Sequence, residues 1–303
     1  ADALRLYPDP DASELKAAIA KQQKVPVEQV FVGNGSDEVL AHIFKAFFVQ
    51  ELPLLYPDIT YSFYPVYSQF FGVDTKVLPL NDQFEIVVDD YKQPNGGIII
   101  TNPNAPTSID LGLAKIEEIL QANPNSVVVI DEAYVDFGAE SAVSLVAKYD
   151  NLVVCQTTSK SRSLAGLRVG FAIAQPHLIA ALEAVKNSFN SYPMDRFAIA
   201  AAVASFEDQA YFEAQNTKVI ASRKLLVEQL TQLGFKVLPS SANFIFATLP
   251  SQEAGELASQ LRERGIIVRY FNKPRINQYL RITVGTDEQN QRLVDTLKNE
   301  ILA

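Results

Sequence analysis

Residues Ser126–Tyr134 read SVVVIDEAY, and a second stretch, Gly97–Thr101, reads GIIIT. In both, β-branched residues stand on consecutive positions instead of alternating with polar ones. That pattern suits strands buried on both faces, as in a parallel sheet covered by helices. Similar short runs are expected to form strands at Val30–Val32, Leu52–Tyr56, Val73–Leu78, Leu152–Gln156 and Val169–Ala174. Between them, helical spacing covers Asp37–Gln50, Tyr61–Phe71, Leu111–Ala122, Ala142–Tyr149 and Gln175–Phe189. Strand–helix alternation of this kind predicts an α/β fold, a mostly parallel seven-stranded sheet sandwiched by helices. Past Asp208 the character changes. One long helix over 209–233 ends at Gly234 and is followed by the strand-like FKVL, NFIFAT, IIVR and LRITV. Helices are expected at Gln252–Arg264 and Asp287–Ile301. The chain therefore reads as a large domain over 25–207 and a smaller α+β domain built from 1–24 and 208–303.

Composition narrows the function. Of 303 residues, 48% are hydrophobic and 20% charged, which is globular rather than disordered. No apolar run approaches the ~20 residues of a membrane-spanning helix. The opening ADALRLYPDP has neither the basic start nor the apolar core of a secretory signal. The expectation is a soluble cytosolic protein. One cysteine, Cys155, excludes an internal disulfide framework, and two distant histidines, His42 and His177, argue against a multi-histidine metal site. The net charge of −9, with no basic run, argues against nucleic acid as a partner.

Three motifs are placed to carry chemistry. GNGSDE, Gly33–Glu38, follows a strand and opens a helix, so it either cradles an anion or is an ordinary helix cap. Asp131 leaves the strand VVVI at the carboxyl edge where open parallel sheets bind ligands. It is either a carboxylate aimed at a cationic nitrogen or a helix-capping acid. TTSKSRSLAGLRVG, Thr157–Gly170, holds Lys160 among small residues and Arg168 eight positions on. The lysine is either a desolvated nucleophile or a solvated loop residue, and the arginine offers a fork for phosphate. Together these are the parts required to hold pyridoxal phosphate (PLP) on a lysine.

With LYPDP, ITYSFY, TNPNAPTS, SSANFIF, GIIVR and LRITVGT in order between Tyr7 and Thr286, the chain resembles the fold-type-I PLP-dependent aminotransferases. Within them it is most similar to the class II branch acting on histidinol phosphate. The resemblance implies that Lys160 bonds the cofactor and shuttles a proton, that Asp131 pairs with the ring nitrogen, and that Tyr134 bonds the phenolic oxygen. It implies that Tyr61 stacks on the ring and that Gly35, Ser36, Asp37, Ser159 and Arg168 surround the phosphate. Tyr7 corresponds to a tyrosine reaching the neighbouring subunit's phosphate, which implies a homodimer. Arg281, helped by Arg269, matches the grip on the substrate's anionic group, and Asn190 is a further substrate-facing candidate. The substrates implied are an amino donor, histidinol phosphate first, and a 2-oxo acid, usually 2-oxoglutarate. Aromatic amino acids, phosphothreonine-type decarboxylation and a catalytically silent binding module are the alternatives.

The chain departs from the usual pattern at three points. Ala105 stands where an asparagine normally precedes Pro-Thr, so Asn104 is expected to substitute or Tyr134 to bond alone. Ser161 and Arg162 replace a small residue and a phenylalanine after the lysine. The sequence opens almost on LYPDP, so the family's N-terminal arm is expected to be either missing or simply not included. Phe63, Tyr64, Tyr67, Phe70 and Phe71 are expected to pack along one helix, with lining of a substrate pocket the alternative for Tyr64.

Overall fold

In a computed structural model of the chain, residues 2–302 are described. The large sheet contains β1 (Val30–Gly33), β2 (Leu54–Pro57), β3 (Thr75–Leu78), β4 (Gly97–Thr101), β5 (Val128–Asp131), β6 (Leu152–Thr157) and β7 (Gly170–Ala174). Their order is β1-β7-β6-β5-β4-β2-β3, as the mostly parallel α/β reading requires. Pairing is parallel from β3 through to β6, while β7 runs antiparallel to both its neighbours.

Successive strand residues point to opposite faces. Ile98, Ile100, Val128, Ile130 and Val154 therefore join one core, and Ile99, Val129, Val153 and Cys155 join another. Six helices pack on this sheet: α1 (Ser13–Gln23), α2 (Ser36–Ile43), α3 (Tyr64–Phe71), α4 (Leu113–Ala122), α5 (Pro176–Phe189) and α6 (Arg196–Glu207). The first, fourth and sixth cover the first face, and the other three cover the second.

The remaining elements build a separate antiparallel sheet, β10-β11-β9-β8. They are α7 (Gln209–Gln232), β8 (Lys236–Val237), β9 (Phe244–Thr248), α8 (Ala254–Glu263), β10 (Arg269–Tyr270), β11 (Leu280–Thr283) and α9 (Asp287–Thr296). Leu226, Leu230, Leu257, Leu261 and Leu293 from its helices pack with Ile245, Leu280 and Ile282. Arg223 on α7 joins this sheet to the large one: its Nη1 donates to Phe137 O at 2.8 Å and to Ala242 O at 2.6 Å. No helix among the described residues is long and apolar enough to cross a membrane.

Several expectations need correction. The helix at Ala142–Tyr149 is only a short 3-10 turn, Ala142–Leu145, because the buried Glu132 carboxylate takes the Ala142 amide and the Ser141 hydroxyl. Helix α2 gives way to a π turn at Phe44–Phe48, and α3 begins at Tyr64 with a proline in its first turn, a position proline favours. Helices α1 and α6 went unanticipated. The second is capped by Asp195, whose carboxylate accepts from the Phe197 and Ala198 amides. Residues 1–24 were assigned to the small unit, yet α1 buries Leu15, Ile19 and Ala20 in the core of the large sheet.

Candidate active site

The carboxyl ends of β4, β5 and β6 lie side by side, with Thr101 in register with Asp131 and Asp131 with Cys155. A cavity of about 160 Å³ opens there. The structure brings Ser36, Asp37, Tyr61, Asp131, Tyr134, Ser159, Lys160 and Arg168 to its walls, residues that lie up to 132 positions apart in the chain. A larger hollow of about 640 Å³, between α2, α3 and α5, is lined mainly by apolar groups such as Phe70, Phe71 and Phe189 and has no comparable set of converging polar groups.

One end of the cavity is built for an anion. Strand β1 runs into α2 through Gly35, which has φ of 89°, and a Cβ at Gly35 would lie 2.4 Å from Arg168 Nη2. On the other side a Cβ on Gly170 would lie 2.2 Å from Ser36 N, so β7 and the start of α2 meet backbone to backbone. The unpaired N–H groups at that helix start and the Arg168 guanidinium thus face one small volume. Asp37 orients the set: its Oδ2 is 3.2 Å from Arg168 Nη2 and its Oδ1 accepts from Tyr61 Oη at 3.1 Å.

The other end carries Asp131, which is buried. Burial pushes its carboxyl up to about 6, opposed by hydrogen bonds from Tyr64 and the Ala133 amide and by nearby Lys160. Tyr64 donates to Asp131 Oδ2 at 2.8 Å. Lys160 Nζ lies 5.5 Å from the centre of the Tyr134 ring. The loop between them is tied down by Ser161, whose hydroxyl donates to Asp136. Arg162, in place of the usual phenylalanine, stacks between Phe206 and Phe212 at 4.0 Å from each ring centre.

Five of the expected side chains lie outside the cavity wall of their own chain. Asn104 Nδ2 donates to Ile59 O and Thr107 Oγ1, and Ala105 is the residue at the wall. Tyr7 is exposed and stacked on Tyr192 with ring centres 4.8 Å apart. Asn190 follows α5, and its side chain accepts from the Tyr192 amide. Arg269 and Arg281 stand opposite each other on β10 and β11. Arg281 lies 5.1 Å from the Phe244 ring, which in turn packs edge-on against Tyr134 at 5.0 Å. Neither arginine has a carboxylate within 4.0 Å among the described residues.

Tyr64 and Thr101 are neighbours of Asp131 that the motifs do not single out. A signal existed in each case. Tyr61 and Tyr64 are three apart, and Thr101 is the polar end of an apolar strand beside Asp131.

The profile of the family described as "Aminotransferase class I and II" matches residues 1–297. The chain belongs to that family. The aminotransferase is 80% identical over 302 residues to the histidinol-phosphate aminotransferase of Acinetobacter baumannii (strain SDF), covering 100% of this chain and 84% of the relative. It is 81% identical over 298 residues to that of Acinetobacter baylyi, covering 98% and 82%. Its fold matches the histidinol-phosphate aminotransferase structure from Clostridium acetobutylicum with a TM-score of 0.91. That match has 24% identity and covers 98% of this chain and 91% of the other.

Proposed function

We infer that this aminotransferase moves the amino group of L-histidinol phosphate to 2-oxoglutarate, forming imidazole acetol phosphate and L-glutamate in histidine biosynthesis, with PLP as cofactor. The observation that carries this reading is the 80% identity over the whole chain to a histidinol-phosphate aminotransferase, in a chain whose cavity retains Lys160, Asp131, Tyr134 and Arg168.

The cavity fits the cofactor end for end. The start of α2, Ser159 and Arg168 suit a phosphate dianion, and Gly35 and Gly170 keep side chains out of that space. When bound, PLP supplies an electron sink for charge developing beside the substrate amine. Asp131, ionised above its raised pKa of about 6, accepts the N–H of a cationic ring nitrogen. Tyr134 donates to the phenolic oxygen, with Ala105 offering no second donor, and Tyr61 stacks on the ring face. Lys160 Nζ would hold the cofactor covalently at rest and, once the substrate amine has displaced it, would be free as an amine to take the proton from the substrate Cα. Arg281, with Arg269, binds the substrate's anionic group, and the lack of carboxylate partners leaves both guanidinium groups free for it. Asn190 contributes at the margin. Tyr7, turned outward, reaches the phosphate in a neighbouring copy, so the working form is a homodimer. The reaction takes place in the cytosol, with α1 and residues 25–207 in a large unit and residues 208–303 in a small unit.

The test is the visible spectrum of the PLP-loaded protein before and after histidinol phosphate, without keto acid. The expected result is loss of the band of lysine-bound cofactor and recovery of pyridoxamine phosphate. A band that persists with histidinol phosphate but is lost with phenylalanine would reassign the substrate. Release of carbon dioxide from phosphothreonine would identify a decarboxylase, and a band indifferent to every amine a silent binding module.

A further inference from the structure

Beside Asp131 lies a row of hydroxyl groups that the reaction as derived does not use, running from the buried Tyr64 through Thr101, which borders the cavity, to Thr60. Tyr64 Oη donates to Asp131 Oδ2 at 2.8 Å, Thr101 Oγ1 lies 2.9 Å from Tyr64 Oη, and Thr60 Oγ1 lies 3.0 Å from Thr101 Oγ1. Each hydroxyl has one proton to donate, and an ionised carboxylate only accepts. Tyr64 therefore gives its proton to Asp131. Its oxygen is left to accept from Thr101, whose oxygen in turn accepts from Thr60. The row has a single direction, and it ends on the carboxylate.

The setting keeps that direction. Tyr64 is fully buried on α3, with the rings of Phe44, Tyr56 and Tyr61 around it. Thr101 is buried on β4, in register with Asp131. Other groups act on Asp131 from each neighbouring element. Asp37 on α2 opposes its charge, Lys160 beyond β6 favours it, and the Ala133 amide donates to it. Cys155 on β6 and the ring hydroxyls of Tyr61 and Tyr134 add no cation. A buried carboxylate facing a like charge needs donors to remain an acceptor.

We propose that Thr60, Thr101 and Tyr64 form a one-way hydroxyl relay that fixes Asp131 as the acceptor for a cationic ring nitrogen, with Tyr64 as the positioning residue. The proposal rests on the assignment of Asp131 to the cofactor's ring nitrogen. In such a chain each bond polarises the next, so the influence of each member falls with its distance from the carboxylate.

The experiment is equilibrium binding of PLP and of its analogue with C–H in place of the ring nitrogen, to the full chain and to Tyr64→Phe, Thr101→Val and Thr60→Val. The unaltered chain is expected to prefer PLP. Tyr64→Phe should reduce that preference about tenfold, as for loss of one hydrogen bond to a charged acceptor. Thr101→Val should reduce it a few-fold and Thr60→Val least, with affinity for the analogue unchanged throughout. A purely structural role for Tyr64 would weaken both ligands equally, and that result overturns the relay. If Tyr64→Phe does not fold, Thr101→Val reads the same relay one step back, and an unchanged preference there overturns it. No preference for PLP in the unaltered chain removes the Asp131 assignment and the relay with it. A graded preference in a chain inert toward histidinol phosphate upholds the relay and defeats only the substrate assignment.

Discussion

Asp131 and Glu132 leave the same strand end for opposite sides of the large sheet, and both are buried. Burial pushes the first up to about 6 and the second up to about 7. Their surroundings differ. Glu132 accepts from Ser141 Oγ and the Ala142 amide, each at 2.6 Å, and from Gln156 Nε2 at 2.8 Å. Asp131 has Tyr64 and the Ala133 amide behind it and keeps acceptor capacity toward the cavity. Equal burial therefore does not mean equal purpose. A carboxylate saturated by the protein organises the chain around it, and one left partly open is available to a ligand.

The comparison can be broken by experiment. The largest effect should come from the cavity side: Lys160→Ala is expected to lower turnover by roughly 10⁴-fold or more, since it removes the group proposed as both covalent anchor and base. Activity within a hundredfold of the unaltered chain, measured without added amine, would remove the cavity from the chemistry. Asp131→Asn should lower turnover by roughly 10²–10³-fold, the scale of losing one preorganised electrostatic partner. The same change should stabilise the cofactor-free chain at pH 8 by up to about 3 kcal/mol in urea unfolding. The sign follows from linkage. A carboxyl whose folded pKa is raised from 3.8 to about 6 favours the folded state at low pH and loses that contribution as pH rises from about 4 to 6.

On the other side, Glu132→Ala should cost about 3 kcal/mol in urea unfolding, because it strands buried donors. Its preference for PLP over the ring-carbon analogue should be unchanged. A Glu132→Ala chain of normal stability would show that the saturated carboxylate organises nothing. The smallest effect belongs to Ser141→Ala, about 1 kcal/mol, from the loss of both the cap on the 142–145 turn and one Glu132 partner. A change in cofactor affinity there would join two regions that the structure keeps apart.

What the sequence revealed depended on how local each cause was. GIIIT became β4 residue for residue, because a run of β-branched residues fits only a strand covered on both faces. Asp131, Tyr134 and Lys160 were legible for a similar reason, since strand ends and the loops after them lie where ligands bind such sheets. The turn at Ala142–Leu145 was misread as a helix because its apolar spacing is helical, while the group that shapes it, Glu132, lies ten residues earlier in the chain. The alanine-rich α6, reading RFAIAAAVASFE, lacked the polar face by which a surface helix is recognised. Tyr64 was read as packing because its partner, Asp131, is 67 residues away. Asn104 neighbours Ala105 in sequence, but adjacency says nothing of direction: its Nδ2 donates to Ile59 O, 45 residues earlier in the chain.

The Arg223 contact has a mechanical consequence. One guanidinium nitrogen pins two carbonyls, one in the loop that follows Tyr134 and one just ahead of β9. Displacing the small sheet at this seam must either carry the Tyr134 loop along or leave both carbonyls without their charged donor. A pull on Arg281, one strand over from β9, is therefore passed through this rivet to the Tyr134 side of the cavity. The two sheets are geared together there, not merely adjacent.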